Sequence, residues 1–200
     1  MKKIFLSFIC LILLCACSSK GEQNPIVTMD IENYGTIKIE LYPNYAPNTV
    51  ANFVNLIQEG FYNNNSFHRL VPGFVLQGGD PLGSGYGGPG YSIKGEFSEN
   101  GYANNTLSHT TGIVSMARAT APDTAGSQFF IVLSDNAKYS LDGKYAAFGK
   151  VIEGMDIIKN IEKNEEIDNQ KSGKLKENVI ITNVTVDTFG KEYQTKKIAN

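Results

Sequence analysis

From Ile26 to Val186 the chain is divided into short apolar runs of strand length, many of them bounded by glycine, proline or asparagine, and this limits the fold more than any other feature. Ile26 to Ile31 and Thr36 to Leu41 flank Asn33-Tyr34-Gly35, and apolar and polar residues alternate through the second run, so the segment predicts a β-hairpin. Further strand candidates are Phe67 to Leu70, Phe74 to Gln77, Gly112 to Ala117, Gln128 to Leu133, Tyr145 to Val151 and Val179 to Val186. Two helices interrupt them. Val50, Phe53, Val54 and Ile57 fall at helical spacing between Pro47, which suits a first turn, and Gly60, which suits a C-terminal cap. Met155 to Lys163 is the second helix. Many short strands with two helices and long loops predict a mainly β fold, a closed and mostly antiparallel barrel. At 200 residues the chain has room for one core and one domain.

The first residues are of another kind. Lys2 and Lys3 precede an apolar run from Ile4 to Leu14 and then Cys15-Ala16-Cys17. This is the layout of an export signal, and the run is shorter than the roughly 20 apolar residues of a membrane-spanning helix. Leu14-Cys15-Ala16-Cys17 resembles the bacterial lipobox, which implies cleavage after residue 16 and lipid attachment at Cys17. The expected organisation is a signal peptide over 1–16, a lipidated cysteine and flexible tether over 17–25, a domain over 26–190 and a polar tail over 191–200. It places the domain in the cell envelope, held to the outer side of a bacterial membrane by its lipid.

Several chemistries are disfavoured. Eighteen basic against twenty acidic residues give a net charge of −2, with no basic footprint for nucleic acid. All three cysteines, Cys10, Cys15 and Cys17, lie in the leader, so the domain has neither disulfides nor cysteine metal ligands. His68 and His109 have no partner at metal-ligand spacing, and no metal or other cofactor is expected. No serine sits in a G-x-S-x-G elbow. Gly83 to Gly88 matches G-x-G-x-x-G formally, but Pro89 follows where a helix should begin, so it reads as a surface loop.

Two runs carry the functional signal. They are Phe67-His68-Arg69-Leu70-Val71-Pro72-Gly73-Phe74-Val75-Leu76-Gln77-Gly78-Gly79-Asp80, and Gly126-Ser127-Gln128-Phe129-Phe130-Ile131 followed by Leu141-Asp142-Gly143-Lys144-Tyr145-Ala146-Ala147-Phe148-Gly149-Lys150-Val151. With Gly112 to Ala117 between them, they resemble the signatures of the cyclophilin-type peptidyl-prolyl cis/trans isomerases, and the likeness runs from about Val27 to Phe189. The resemblance implies an eight-stranded antiparallel β-barrel capped by two α-helices, with a substrate groove on its outer face. It further implies Arg69 as the catalytic cation, Gln77 as its polar neighbour and Phe74 and Phe130 as walls for the proline ring. Val75 belongs to the groove wall, Ala117, Arg118 and Gln128 line the floor, and Leu141 and Tyr145 the far rim.

These residue types suit the chemistry. Rotation about a peptide bond has a barrier of roughly 18–20 kcal/mol and needs neither a nucleophile nor a metal. Twisting turns the proline nitrogen into a hydrogen-bond acceptor, and a fixed, permanently charged guanidinium can donate to it. The implied partners are proline-containing polypeptides, with the protein acting as a monomer. A non-catalytic proline-peptide-binding module, a tethered holdase or adaptor, would use the same groove. Val75, Arg118 and Tyr145 stand where many relatives have methionine, asparagine and histidine, and about two extra residues fall around Ala137 to Ser140. The chain has no tryptophan. The family's binding of cyclosporin uses one, so weak cyclosporin binding is expected.

Overall fold

A computed structural model describes residues 23–199, and the leader with Cys17 lies outside them. In chain order the elements are β1 (Ile26–Ile31), β2 (Gly35–Leu41), α1 (Pro47–Gln58), β3 (Asn65–Val71), β4 (Val75–Gly78), β5 (Tyr91–Ser92), β6 (Ile113–Met116) and β7 (Phe129–Val132). They continue with α2 (Lys138–Leu141), β8 (Ala146–Glu153), α3 (Met155–Asn164), β9 (Ile167–Asn169), β10 (Lys174–Asp187) and β11 (Ile198–Ala199).

The strand order β1-β2-β8-β6-β7-β4-β3-β10 closes on itself because β10 also pairs with β1, so eight antiparallel strands form the expected barrel. The strand β9 extends β10, while β5 and β11 make a separate two-stranded sheet. Both long helices lie where the periodicity places them, and the single turn of α2 adds a third. No helix among the described residues is long and apolar enough to cross a membrane.

Strand alternation decides which residues reach the core. Phe129 and Ile131 of β7, Leu76 of β4 and Val114 and Met116 of β6 join the barrel interior with Phe67, Phe148 and Leu41. Their chain neighbours Phe130, Val132, Val75 and Ile113 point outward into a second apolar cluster with Leu141 and Ala147. This cluster is the floor of the site. Helix α1 inserts Phe53 into the interior, 5.0–5.3 Å from the ring centroids of Phe148 and Phe129 and 4.9 Å from Tyr62.

The N-cap of α1, Ala46, offers no side-chain acceptor. Glu96 supplies one from a distant loop: one oxygen accepts from Asn48 N–H at 3.0 Å, the other from the N–H and hydroxyl of Thr49 at 2.7 Å each. The carboxylate thus satisfies orphan donors at the positive end of the helix dipole, which accounts for a buried glutamate.

Candidate active site

The register of five neighbouring strands sets the central residues in one row. Arg69 of β3 pairs with Gln77 of β4, Gln77 with Phe130 of β7, Phe130 with Ser115 of β6, and Ser115 with Ala147 of β8. A guanidinium, an amide and an aromatic ring therefore sit side by side on the outer face of the barrel. Rigid strands fix their spacing.

Arg69 is held at two atoms. Its Nε donates to the carbonyl of Ser172 at 2.8 Å and one terminal nitrogen to Gln77 Oε1 at 3.1 Å. Guanidinium has five N–H groups, so the others remain for a substrate. Burial lowers the Arg69 pKa, with Tyr145 acting in the opposite sense, and the group stays cationic at neutral pH. Gln77 Nε2 donates onward to Gln128 Oε1 at 2.9 Å, and Gln128 Nε2 donates to the carbonyls of Gly85 and Gly87 at 3.0 and 2.9 Å. One polar line thus runs from Arg69 to the glycine-rich loop.

The apolar side of the site is built around Phe130. Tyr145 meets its ring edge-on at 5.6 Å, and His109 stacks on it at 6.1 Å with an interplanar angle of 23°. Phe74, in the turn before β4, packs on the same cluster with Val75. The turn is fixed by Phe74 N–H to Val71 O at 3.0 Å and Leu133 N–H to Phe74 O at 2.9 Å. Leu141 is buried within the cluster.

Arg118 and Ala117 flank a cleft of about 730 Å³ that continues the site past Gln77 and Gln128 beneath the glycine-rich loop. Arg118 directs most of its N–H groups to backbone carbonyls, those of Lys144, Ala119 and Thr120, at 2.9–3.1 Å. Its guanidinium lies between the rings of Phe97 and Tyr145, 5.1 and 4.7 Å from their centroids. It ties the 117–120 side of the cleft to Lys144 and Tyr145 as well as lining it.

Sequence reasoning missed two supports. Ser172 belongs to a turn that approaches β3 closely: Gly173 has φ +75°, Leu70 N–H donates to its carbonyl, and a Cβ there would lie 2.7 Å from Leu70 O. The last strand was expected from Val179, whereas β10 starts at Lys174 and brings this turn to Arg69. The second support is His109. Its Nδ1 lies 2.8 Å from Asp142 Oδ1 and its Nε2 2.9 Å from Ser115 Oγ, under Phe130. Burial lowers the His109 pKa more than Asp142 restores it, so the ring is neutral and braces Phe130. These three residues match the membership of a serine triad, but Ser115 is fully buried and no substrate carbonyl can reach it. The alternation of Ile113, Ser115 and Ala117 signals that Ser115 faces the groove side. No spacing rule signals His109 or Asp142.

Comparison with known proteins accords with this geometry. A family model described as cyclophilin type peptidyl-prolyl cis-trans isomerase/CLD matches residues 26–186. Peptidyl-prolyl cis-trans isomerase B of Bacillus subtilis is 49% identical over 131 residues, covering 66% of this chain and 86% of the relative. A peptidyl-prolyl cis-trans isomerase of Helicobacter pylori is 45% identical over 138 residues, 68% of this chain and 80% of its own. A cyclophilin type isomerase of Cryptosporidium parvum, crystallised in the presence of the dipeptide Ala-Pro, superimposes with a TM-score of 0.68 at 36% identity, over 81% of this chain and 98% of that one. With its barrel, its outer-face row of Arg69, Gln77 and Phe130 and a family match across most of its length, the chain belongs to the cyclophilin-type peptidyl-prolyl cis/trans isomerases.

Proposed function

We propose that this cyclophilin accelerates rotation about X-Pro bonds in exported proteins, as a single chain tethered by lipid at Cys17 to the outer side of a bacterial membrane. The carrying observation is the line from Ser172 and Gln77 through Arg69, set beside Phe130. Phe130 and Phe74 hold the proline ring by apolar contact while the preceding carbonyl swings. As the bond twists, the nitrogen loses conjugation and pyramidalises, and a remaining Arg69 N–H donates to its lone pair. That bond is strong only in the twisted state, so it lowers the barrier rather than merely adding to affinity. The anchors at Nε and one terminal nitrogen hold the fork in place before substrate arrives, which keeps reorganisation small. All these groups come from one chain, which supports a monomer as the working unit.

The address rests on sequence: Lys2 and Lys3, the apolar run and Leu14 to Cys17. Two or more acyl chains hold a protein stably where one does so marginally, each buried methylene contributing about 0.8 kcal/mol. Two measurements test the proposal. The protein at substoichiometric concentration should speed cis/trans exchange in a proline peptide, and metabolic palmitate labelling should disappear in Cys17→Ala. Unchanged exchange would refute the activity. Unchanged labelling and membrane fractionation would refute the anchor.

A further inference from the structure

The glycine-rich wall of the cleft, with Gly85, Gly87, Gly88 and Gly90, is the kind of segment that loses most entropy when ordered. It is fastened at three places. At its start, Asp80 accepts from Leu82 and Ser84 N–H at 2.8 and 2.9 Å, and in the middle Gln128 donates to Gly85 O and Gly87 O. At its far end lies β5, whose strand partner among the described residues is β11, in the C-terminal tail: Tyr91 pairs with Ala199 and Ser92 with Ile198.

A two-residue pairing does not hold by itself. The tail is fastened to α1 instead. Asn48 accepts from Lys196 N–H at 2.7 Å and donates to its carbonyl at 3.1 Å, and Asn55 donates to the Thr195 hydroxyl at 2.9 Å. The Lys197 ammonium lies 4.1 Å from the centroid of the Tyr91 ring. From Tyr91 the restraint passes into the cleft: its hydroxyl donates to Asn52 Oδ1 at 2.7 Å, and Asn52 Nδ2 donates to the carbonyl of Gly126 at 2.7 Å. Tyr91 and Gly126 both line the cleft.

From this we infer that Thr195–Ala199 is a strap that orders the glycine-rich wall in advance and so sets the affinity for peptides extending past the proline slot into the cleft. The inference rests on reading the groove as the peptide site. Among the described residues the strap's hydrogen bonds and ring contacts go to Asn48, Asn55, Tyr91 and Ser92 and not to Arg69, Phe74 or Phe130, so the chemical step and the smallest substrates are independent of it. A wall already ordered costs a long peptide less on binding.

The test compares the full chain with Asn48→Ala and with a chain stopped after Gly190. Affinity is measured for Ala-Pro dipeptide and for a longer peptide with a central proline, alongside turnover at saturation and amide hydrogen exchange over residues 85–91. The strap predicts about three- to tenfold weaker binding of the longer peptide, unchanged Ala-Pro binding, unchanged saturated turnover and faster exchange at the wall. Equal loss for both peptides, or no loss for the longer one, would overturn it. Should the stopped chain fail to fold, Asn48→Ala decides alone. The exchange measurement needs no catalysis, so it judges the strap even if the parent proves to be no isomerase.

Discussion

Gln77 holds the Arg69 fork and donates to Gln128, and because Gln77→Glu and Gln77→Leu both lose that donation, the pair of variants separates positioning of the arginine from charge. Gln77→Glu keeps an acceptor 3.1 Å from the Arg69 fork and strengthens that pairing, so the guanidinium stays in place or is held more tightly. It also brings a negative charge close to the reacting nitrogen. A unit charge about 7 Å away at an effective dielectric of about 20 contributes about 2 kcal/mol. The twisted nitrogen carries part of a charge, so about 1–2 kcal/mol of transition-state stabilisation should be lost, or about five- to thirtyfold in turnover. Gln77→Leu removes the anchor without adding charge. Arg69 then keeps Ser172 O, and about tenfold is expected for losing one bond to a charged group. Turnover is read as NMR exchange between cis and trans peptide at saturating enzyme, with circular dichroism as a check on folding. A Gln77→Glu variant as fast as the parent would mean that holding the arginine suffices and that its charge does not act on the amide.

The cap on α1 and the buried histidines give tests of stability. Glu96→Ala leaves three donors of the first turn of α1 without their partner in a buried place and should destabilise by about 3 kcal/mol, Glu96→Gln by about 1, measured by urea unfolding. His68 is buried, with neither ring nitrogen hydrogen-bonded among the described residues, and burial lowers its pKa although Asp80 pulls it upward; His109 is lowered for the same main reason. Above about pH 6.5 both are neutral folded or unfolded and contribute no slope, whereas below it the unfolded chain takes up protons first. Stability should therefore fall on acidification from about pH 6.5 toward the lowered folded values, by up to about 1.4 kcal/mol per pH unit for each histidine. His68→Asn should reduce that slope, and an unchanged slope would contradict the assignment. The tryptophan that the family uses for cyclosporin is absent here, so inhibition should be weaker, by about 1–3 kcal/mol of affinity, than for a Trp-containing relative titrated alongside.

Much of the fold was legible because it rests on local rules. Alternation through Thr36 to Leu41 assigns a strand and its faces, the unbroken apolar run from Phe129 to Leu133 reads as a strand buried on both faces, and Pro47 with Gly60 brackets α1. Closure of β1 on β10, the two-residue β5–β11 pair and the turn at Ser172 join distant parts of the chain, and periodicity carries no signal for them. The same division holds for the site. Arg69, Phe74, Gln77 and Phe130 come from dense runs that resemble a known signature, and strand register then sets three of them in one row. Glu96 at the head of α1 and His109 under Phe130 act through contacts to residues distant in sequence or in loops, which no local pattern announces. Arg118 was expected beneath the substrate; it also clamps Lys144 O and Tyr145, a role its residue type alone does not announce.

The central claim is that Arg69 acts on the twisted amide more than on the bound peptide. Arg69→Ala, shown to be folded by circular dichroism, should reduce NMR-measured cis/trans exchange at saturating enzyme by roughly ten- to a hundredfold or more, since a charge-assisted bond in a partly dry groove contributes about 1.5–3 kcal/mol. Binding of the same peptide, held chiefly by Phe74 and Phe130, should weaken far less in a parallel titration, and Arg69→Lys should restore part of the rate because an ammonium lacks the fixed fork. A folded Arg69→Ala variant that exchanges its substrate at the parent rate, or one that loses affinity and turnover in equal measure, would contradict the account.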